Sequence, residues 1–207
     1  MTEKSAVFET TYQNYLDQLA AIDLLSRADP LGAAVAADAL VIPLYGRPYT
    51  LSRDGVRDAN GFQTNFAISV VLCCYALQCP DTVPPAGDWM TYREFRNAGP
   101  LVGYFTANTQ KIIETAFAGN TGGLVDACQR LGGKAFEDGA SYDVSLAFDF
   151  LPRIPVLLRF NDKDSEFPAQ CAILFPQSAE TFLDMECMAI GGTLLAGTLT
   201  QSLQTPV

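Results

Sequence analysis

Acidic side chains alternate along one short segment near the end of the chain, where Asp162, Asp164 and Glu166 occupy every second position. Carboxylate oxygens at this spacing are suited to a hard cation such as Mg²⁺ or Ca²⁺. The segment lacks the glycine and the distal glutamate of an EF-hand, which excludes that motif. Asn, Asp and Ser are also the residues that a turn between two strands uses. The segment is therefore either a metal site or a turn.

A second group of residues that could bind a ligand lies around the only tryptophan of the chain, Trp89, which is followed closely by Arg93. An aromatic ring beside a guanidinium group can bind a planar or anionic ligand, and it can also anchor a loop on the core. We predict that Trp89, Arg93, Arg153 and Glu166 lie near one another at an edge of the sheet. They would form either a buried arginine–carboxylate clamp or the floor of a ligand pocket.

The chain contains six cysteines, namely Cys73, Cys74, Cys79, Cys128, Cys171 and Cys187. The spacing of the first three does not match the iron–sulfur ligand run of bacterial ferredoxins. The residues after Met1 include no apolar stretch typical of a secretory signal, so we expect a cytoplasmic protein with reduced thiols. Buried packing is the role expected for these cysteines.

The overall composition excludes several classes of function. None of the 207 residues is histidine, which removes the Ser-His-Asp and Cys-His nucleophile systems and the zinc sites that contain histidine. The net charge of −10 argues against nucleic acid and against anionic membrane surfaces as partners. The longest apolar run, Phe66 to Leu77, is too short to span a bilayer.

These candidate residues must be positioned by helices in the first two thirds of the chain. Phe8, Tyr12, Tyr15, Leu19 and Ile22 recur at helical spacing and predict one amphipathic helix. Asp29-Pro30 predicts the start of an Ala-rich helix that ends near Leu40. The run from Phe66 to Leu77 predicts a buried helix, and two further helices are expected on either side of residues 120–123.

Strands are expected in two places. Gly46-Arg47 predicts a hairpin turn between the strands Val41–Tyr45 and Pro48–Ser52. Pro43 and Pro48 predict that both are edge strands, because proline cannot donate a hydrogen bond to a neighbouring strand. Strict alternation from Tyr142 to Phe175 predicts a three-strand antiparallel meander. A final helix is expected from Ala179 to Leu203. The sequence thus predicts a single α+β domain, residues 1–207, with an antiparallel sheet of about five strands covered by helices.

The order of several motifs resembles an uncharacterised prokaryotic domain family of about 200 residues, found mostly in anaerobic bacteria and archaea. The similar segments are WMTYREF at 89–95, LPRIPVLL at 151–158, DSEFPA at 164–169 and FLDME at 182–186. The resemblance implies that the final helix begins at the last of these segments. It also implies that members of the family are loosely associated with iron–sulfur proteins. This chain has Pro176 and Cys187 where the resemblance implies acidic residues, which argues against a catalytic acid at either position.

The absence of histidine and of a recognisable nucleophile motif favours a non-catalytic cytoplasmic accessory or ligand-binding domain. One alternative is a metal-dependent enzyme that uses the acidic segment. Another is a protein-interaction partner without a small-molecule ligand. The sequence does not identify a cofactor.

Overall fold

Two antiparallel sheets form the β part of the fold in the computed structural model, which describes residues 3–203. The first sheet contains strands β1 Ala34–Ala36, β2 Ala39–Leu44, β3 Arg47–Ser52 and β4 Gly55–Arg57, in that spatial order. The second contains β5 Trp89–Thr91, β6 Lys134–Ala135, β7 Val144–Leu151, β8 Ile154–Asn161 and β9 Gln170–Pro176, in the order β5-β9-β8-β7-β6.

The helices precede, separate and follow these strands. They are α1 Glu3–Ala20, α2 Ala28–Leu31, α3 Phe66–Leu77, α4 Val102–Phe105, α5 Lys111–Phe117, α6 Thr121–Arg130, α7 Ala179–Phe182 and α8 Met185–Ser202. A π-helical segment, Thr106–Gln110, joins α4 to α5. None of the helices between residues 3 and 203 combines the length and apolarity that crossing a bilayer requires.

The expected α+β class is confirmed, and so is the C-terminal meander. Phe148, Val156 and Ile173 face the core with at most 4% of their surface exposed, so the predicted alternation has the correct register. The sheet count differs from the prediction, because the N-terminal hairpin belongs to a separate sheet. The backbone link between the two sheets is a 3.0 Å hydrogen bond from Tyr45 N–H to the Phe150 carbonyl.

The predicted Ala-rich helix after Asp29-Pro30 is wrong. Helix α2 is a single turn that ends where Gly32 adopts a left-handed conformation, with φ of 66°. The chain then forms β1 and β2, in which Ala34 lies opposite Val41. Cross-strand pairing to the apolar strand β2 therefore overrides the helical preference of alanine.

The predicted hairpin is confirmed, but its turn lies one residue earlier. Tyr45 and Gly46 both have positive φ, of 48° and 73°, which is the two-residue turn that matches the twist of the strands. Pro43 and Pro48 predicted that these two strands lie at the edges of the sheet, but β2 and β3 are its two central strands. The neighbouring strands β1 and β4 are only three residues long and end before they reach either proline, so no ladder bond is lost.

Helix α8 lies at the centre of the molecule because two glycines allow other elements to approach it closely. A Cβ at Gly191 would lie 2.7 Å from Cε1 of Phe150 on β7, and a Cβ at Gly192 would lie 2.5 Å from the ring of Phe105. The Tyr45 hydroxyl also donates to the Gly191 carbonyl at 2.9 Å. The sheet and the 102–117 helical region therefore meet on this one helix.

We predict that Gly191→Ala lowers the free energy of unfolding by about 1–3 kcal/mol, because the added methyl group would overlap the fully buried Phe150 ring. Gly197→Ala, in the same helix, is the matched control. No heavy atom lies within 4 Å of the methyl position there, so alanine should stabilise the helix by about 0.5–1 kcal/mol. Urea denaturation measures both changes. Equal effects of the two substitutions would contradict the proposed contact.

Candidate functional site

Two thiols and a carboxylate converge where α3 ends and α8 begins. The sulfur atoms of Cys74 and Cys187 and a carboxylate oxygen of Asp184 all lie within 4.8 Å of one another. Both cysteines are buried, with 3% and 1% of their surface exposed, whereas Asp184 is exposed. The three residues, hereafter the Cys–Asp cluster, therefore form a site that is enclosed on the sulfur side and open to solvent at the carboxylate.

The start of α8 determines the position of two members of the Cys–Asp cluster. Asp184 is the N-cap of α8, and its Oδ1 accepts a 2.7 Å hydrogen bond from the backbone N–H of Cys187. This capping bond satisfies a free N–H of the first turn and holds the carboxylate beside the thiol one turn later. The other carboxylate oxygen, Oδ2, accepts a 3.4 Å hydrogen bond from Gln78 Nε2, at the end of α3.

Helix α3 supplies the third member of the Cys–Asp cluster, Cys74. The C-terminal end of α3 is capped by a residue outside the helix, Arg27. The Arg27 guanidinium donates hydrogen bonds of 2.7 and 2.8 Å to the carbonyls of Ala76 and Leu77. A cation at the C-terminus of a helix satisfies unpaired carbonyls and complements the helix dipole. Cys74 lies in this capped last turn, and α3 packs against α8.

Hydrogen bonds distinguish Cys74 from the other cysteines. Hydrogen bonding with the Cys187 thiol is the main reason why the pKa of Cys74 falls below its ordinary value despite burial, and hydrogen bonding with the Tyr15 hydroxyl acts in the same direction. The same hydrogen bond, together with burial, raises the pKa of Cys187. Burial is the main cause that raises the pKa of Tyr15. Of the two thiols in the Cys–Asp cluster, Cys74 is therefore the one that loses its proton more readily.

The other buried cysteines behave as apolar side chains. Burial raises the pKa of Cys73 and of Cys128 to about 12, and it raises the pKa of Cys171 well above the ordinary value. All six cysteines are free in the structure, and their reduced state in the cell stays a prediction. The expectation that packing is their role fits these three thiols, but it overlooks the pair formed by Cys74 and Cys187.

The tryptophan segment reaches the Cys–Asp cluster through a residue that the sequence did not single out. The Tyr92 hydroxyl donates a 2.6 Å hydrogen bond to the carbonyl of Met185, the first residue of α8. Burial, with the charges of Asp184 and Glu186, raises the pKa of Tyr92 to about 12. Trp89 itself packs edge to face against Phe136, with ring centroids 5.8 Å apart.

The structure does not bring the four predicted ligand-binding residues together. Arg153 precedes β8 and Glu166 lies in the loop after it, so a strand about 26 Å long separates them. The predicted arginine–carboxylate clamp is also absent at Arg153. Its Nε and Nη2 instead donate to the carbonyls of Pro30 and Asp29, at 2.9 and 2.7 Å. Arg153 therefore fixes the start of β8 to α2.

The other two predicted ligand-binding residues, Trp89 and Arg93, lie in or just after β5, the edge strand of the second sheet. Trp89 pairs with Pro176 at the end of β9. Arg93 is exposed and lines a small cavity of about 230 Å³ together with Phe105 and Gln110. The ligand-binding role of these residues stays a prediction, but a single site that includes Arg153 and Glu166 conflicts with the strand order.

The acidic segment forms a turn in which the carboxylates accept backbone hydrogen bonds. Asp164 Oδ1 accepts from the N–H groups of Glu166 and Phe167, both at 2.7 Å. Asp162 Oδ1 accepts from the N–H groups of Gly119 and Lys163, at 2.7 and 2.8 Å. These bonds explain the composition as turn chemistry, and metal binding by Asp162, Asp164 and Glu166 stays an untested prediction.

Local spacing in the sequence could identify two members of the Cys–Asp cluster, Asp184 and Cys187, but not the third. An aspartate at an N-cap and a side chain three residues later are close in space whenever a helix begins between them. Cys74 is more than a hundred residues away along the chain, and no spacing rule links it to Cys187. Only the packing of α3 against α8 brings the two thiols together.

The fold and the Cys–Asp cluster define an α+β domain with a buried dithiol at a helix start. The chain belongs to the DUF3786 family, a domain of unknown function, whose family model matches residues 23–198. The expected membership of an uncharacterised domain family is thus confirmed. No curated protein and no solved structure matches the chain significantly.

We predict that the charge of Asp164 contributes to stability only above its folded-state pKa. Two backbone N–H groups hold the pKa of this carboxyl below its ordinary value, so the ionised form is the one that folding favours. The contribution is complete above the unfolded pKa, near 4, and disappears as the pH falls through the lower folded value. Asp164→Asn should be less stable than wild type at neutral pH, and the difference should shrink below about pH 4. Urea unfolding from pH 7 to pH 2 tests this, and a constant difference over that range contradicts it.

Proposed function

We propose that this protein is a non-catalytic ligand-binding domain whose ligand is a thiophilic divalent metal ion such as Zn²⁺. The ligands would be the sulfur atoms of Cys74 and Cys187 and a carboxylate oxygen of Asp184. The observation that carries the proposal is the convergence of these three donor atoms within 4.8 Å. Thiolate and carboxylate are donors that zinc uses in proteins.

The spacing of the donors supports this assignment. Zinc–sulfur bonds of about 2.3 Å in a tetrahedral site place two sulfur ligands about 3.8 Å apart. The donor atoms of the Cys–Asp cluster lie within 4.8 Å, so small side-chain rotations suffice to close the site. Asp184 can cap α8 with Oδ1 and still direct Oδ2 to the metal, because a carboxylate has two oxygens.

The charge around the site also supports a cation. The negative charges of Asp184 and Glu186 act on Cys74, and those of Cys74 and Asp184 make a second thiolate at Cys187 costly without a compensating ion. A divalent cation offsets two thiolates and one carboxylate to a net charge of −1. The type of donor also supports zinc, since sulfur ligands select zinc and softer metals over Mg²⁺ and Ca²⁺.

The metal-dependent enzyme built on the acidic turn is less well supported. Coordination by Asp162 or Asp164 through the bonded oxygen would compete with two backbone N–H groups at each residue. At the Cys–Asp cluster, coordination through Asp184 Oδ2 would compete only with the long 3.4 Å hydrogen bond from Gln78 and would leave the 2.7 Å capping bond in place. The alternative of a protein partner without a small-molecule ligand is independent of both sites.

We also infer that the protein works in a reducing compartment, the cytoplasm. Six unpaired cysteines support this location, since an oxidising compartment favours disulfides. Metal binding by Cys74 and Cys187 requires the same reduced state. A net charge of −10 supports partners other than nucleic acid.

Titration of the reduced protein with Cd²⁺, a spectroscopic substitute for zinc, tests the metal site. We expect one ion per chain with a thiolate-to-cadmium absorption band, and competition by Zn²⁺ but not by Mg²⁺ or Ca²⁺. Cys74→Ala and Cys187→Ala should each weaken binding by more than about a hundredfold, since the loss of a ligand exceeds the loss of a group that only orients one.

Cys73→Ala is the matched control, because Cys73 is equally buried, adjacent in sequence and outside the Cys–Asp cluster. It should bind Cd²⁺ like wild type once circular dichroism has shown that it is folded. Absence of Cd²⁺ binding in the wild type, or equal loss in Cys73→Ala and Cys74→Ala, would falsify the proposal. Binding of Mg²⁺ that Asp164→Asn abolishes would favour the acidic turn instead.

A further inference from the structure

Two neighbouring strands of the second sheet carry buried polar atoms that have no hydrogen-bond partner among the described residues. These atoms are Ser145 Oγ on β7 and Arg159 Nε on β8. Ser145 lies between Val144 and Leu146, which are buried in the core, so it points to the opposite face of the sheet. Arg159 is directly opposite Ser145 in the antiparallel register and therefore shares that face. Buried polar atoms without partners are destabilising, so this pair requires a physical explanation.

The Arg159 guanidinium is held in place by two residues of segment 136–143. Its Nη2 forms an ion pair with the Asp138 carboxylate, and its Cζ lies 4.8 Å from the centre of the Tyr142 ring. The Arg159 side chain is consequently only 13% exposed. A guanidinium can offer Nε and Nη2 together to one carboxylate, but Asp138 bonds to Nη2 and leaves Nε unused.

A cleft of about 590 Å³ lies between segment 136–143, β7 and helix α6, and Ser145 is part of its lining. This volume is within the range of about 300–1,000 Å³ that is typical of sites for small molecules. The apolar and aromatic part of the lining consists of Val125, Phe136, Tyr142, Val144 and Leu146. The cleft therefore combines an apolar wall with a polar residue, Ser145, that lies opposite an arginine.

The charges around the cleft favour a ligand with one carboxylate over a phosphate. Glu137, Asp138 and Asp143 line the cleft, and they would repel a doubly charged ligand more strongly than a singly charged one. A monocarboxylate that replaces Asp138 at the guanidinium leaves the charge next to Arg159 unchanged. It also provides an acceptor for Arg159 Nε and for the Ser145 hydroxyl, which the Asp138 carboxylate does not.

We propose that Arg159 and Ser145 bind the carboxylate of a small organic acid whose apolar part lies in the cleft, and that Asp138 occupies part of this site in the free protein. Binding would displace Asp138, so segment 136–143 would move away from the guanidinium. The site shares no residue with the Cys–Asp cluster. The inference therefore goes beyond the proposed metal binding and does not depend on it.

Titration with benzoate tests this site, because benzoate joins one carboxylate to an apolar ring. In NMR spectra of the wild type, benzoate should shift the Arg159 Nε–H signal and the backbone signals of segment 136–143. Benzyl alcohol, which has the ring without the charge, should leave the Nε–H signal unchanged. Ser145→Ala should weaken benzoate binding about tenfold, since a hydrogen bond to a charged group is lost. Arg159→Lys keeps the charge but loses the paired donors, so it should weaken binding at least as much.

Asp138→Asn tests whether Asp138 competes with the ligand. It should raise the affinity for benzoate up to about fivefold, since the partly exposed ion pair no longer opposes binding. Glu137→Gln is the matched control, because it removes the same charge from the neighbouring position. Glu137 lines the same cleft, whereas the carboxylate paired with Arg159 belongs to Asp138. Glu137→Gln should therefore change the affinity much less.

Two results would overturn the inference. If benzoate shifts the Arg159 Nε–H signal in neither wild type nor Asp138→Asn, a fixed water and not a ligand bonds to the buried atoms. If Asp138→Asn and Glu137→Gln raise the affinity equally, benzoate responds only to the net charge. Should Arg159→Lys fail to fold by circular dichroism, Ser145→Ala and Asp138→Asn still decide the question. A wild type that binds Cd²⁺ but not benzoate would refute this site and leave the metal site in place.

Discussion

The close contact of helix α8 with the Phe150 and Phe105 rings is the constraint on which the rest of the structure depends. Gly191 and Gly192 carry no Cβ, so two fully or almost fully buried rings reach the helix backbone from different sides. These contacts determine how α8 is rotated and how far along its axis it lies. Cys187 is four residues before Gly191 and therefore lies on the same helix face. The packing that positions Gly191 thus also directs Cys187 toward Cys74.

The Cys–Asp cluster shows how position changes the chemistry of one residue type. Cys73 and Cys74 are neighbours on α3, yet helical geometry turns their side chains about 100° apart. Cys73 faces apolar surroundings, and burial raises its pKa to about 12. Hydrogen bonding with Cys187 and Tyr15 lowers the pKa of Cys74 instead. Two adjacent thiols on one helix therefore differ in how readily each loses its proton.

Patterns with a short period were readable from the sequence, because local geometry alone determines them. The alternation that produces β7, β8 and β9 has a period of two, and the apolar run that forms α3 has the length of a helix. The N-cap at Asp184 is likewise a local feature. Residues 33–40 were misread because a strand partner, β2, decides their conformation. That partner is apolar, and pairing with it outweighs the helical preference of alanine.

Long-range proximity was less accessible to sequence reasoning. The proposed grouping of Arg153 with Glu166 failed because β8 runs its full length between them. The pairing of Cys74 with Cys187 was missed because it depends on α3 and α8 crossing at one end. In both cases the distance depends on how elements pack. Residue type alone had favoured the arginine and tryptophan residues over the cysteines.

The Cys–Asp cluster lies entirely within the family-matched part of the chain. Cys74, Asp184 and Cys187 all fall within residues 23–198, whereas helix α1 ends at Ala20, before the match begins. The donor atoms of the proposed site thus belong to the ends of α3 and α8, and helix α1 supplies none of them. A metal site assembled from these donors would therefore need no residue from outside the family-matched part of the chain.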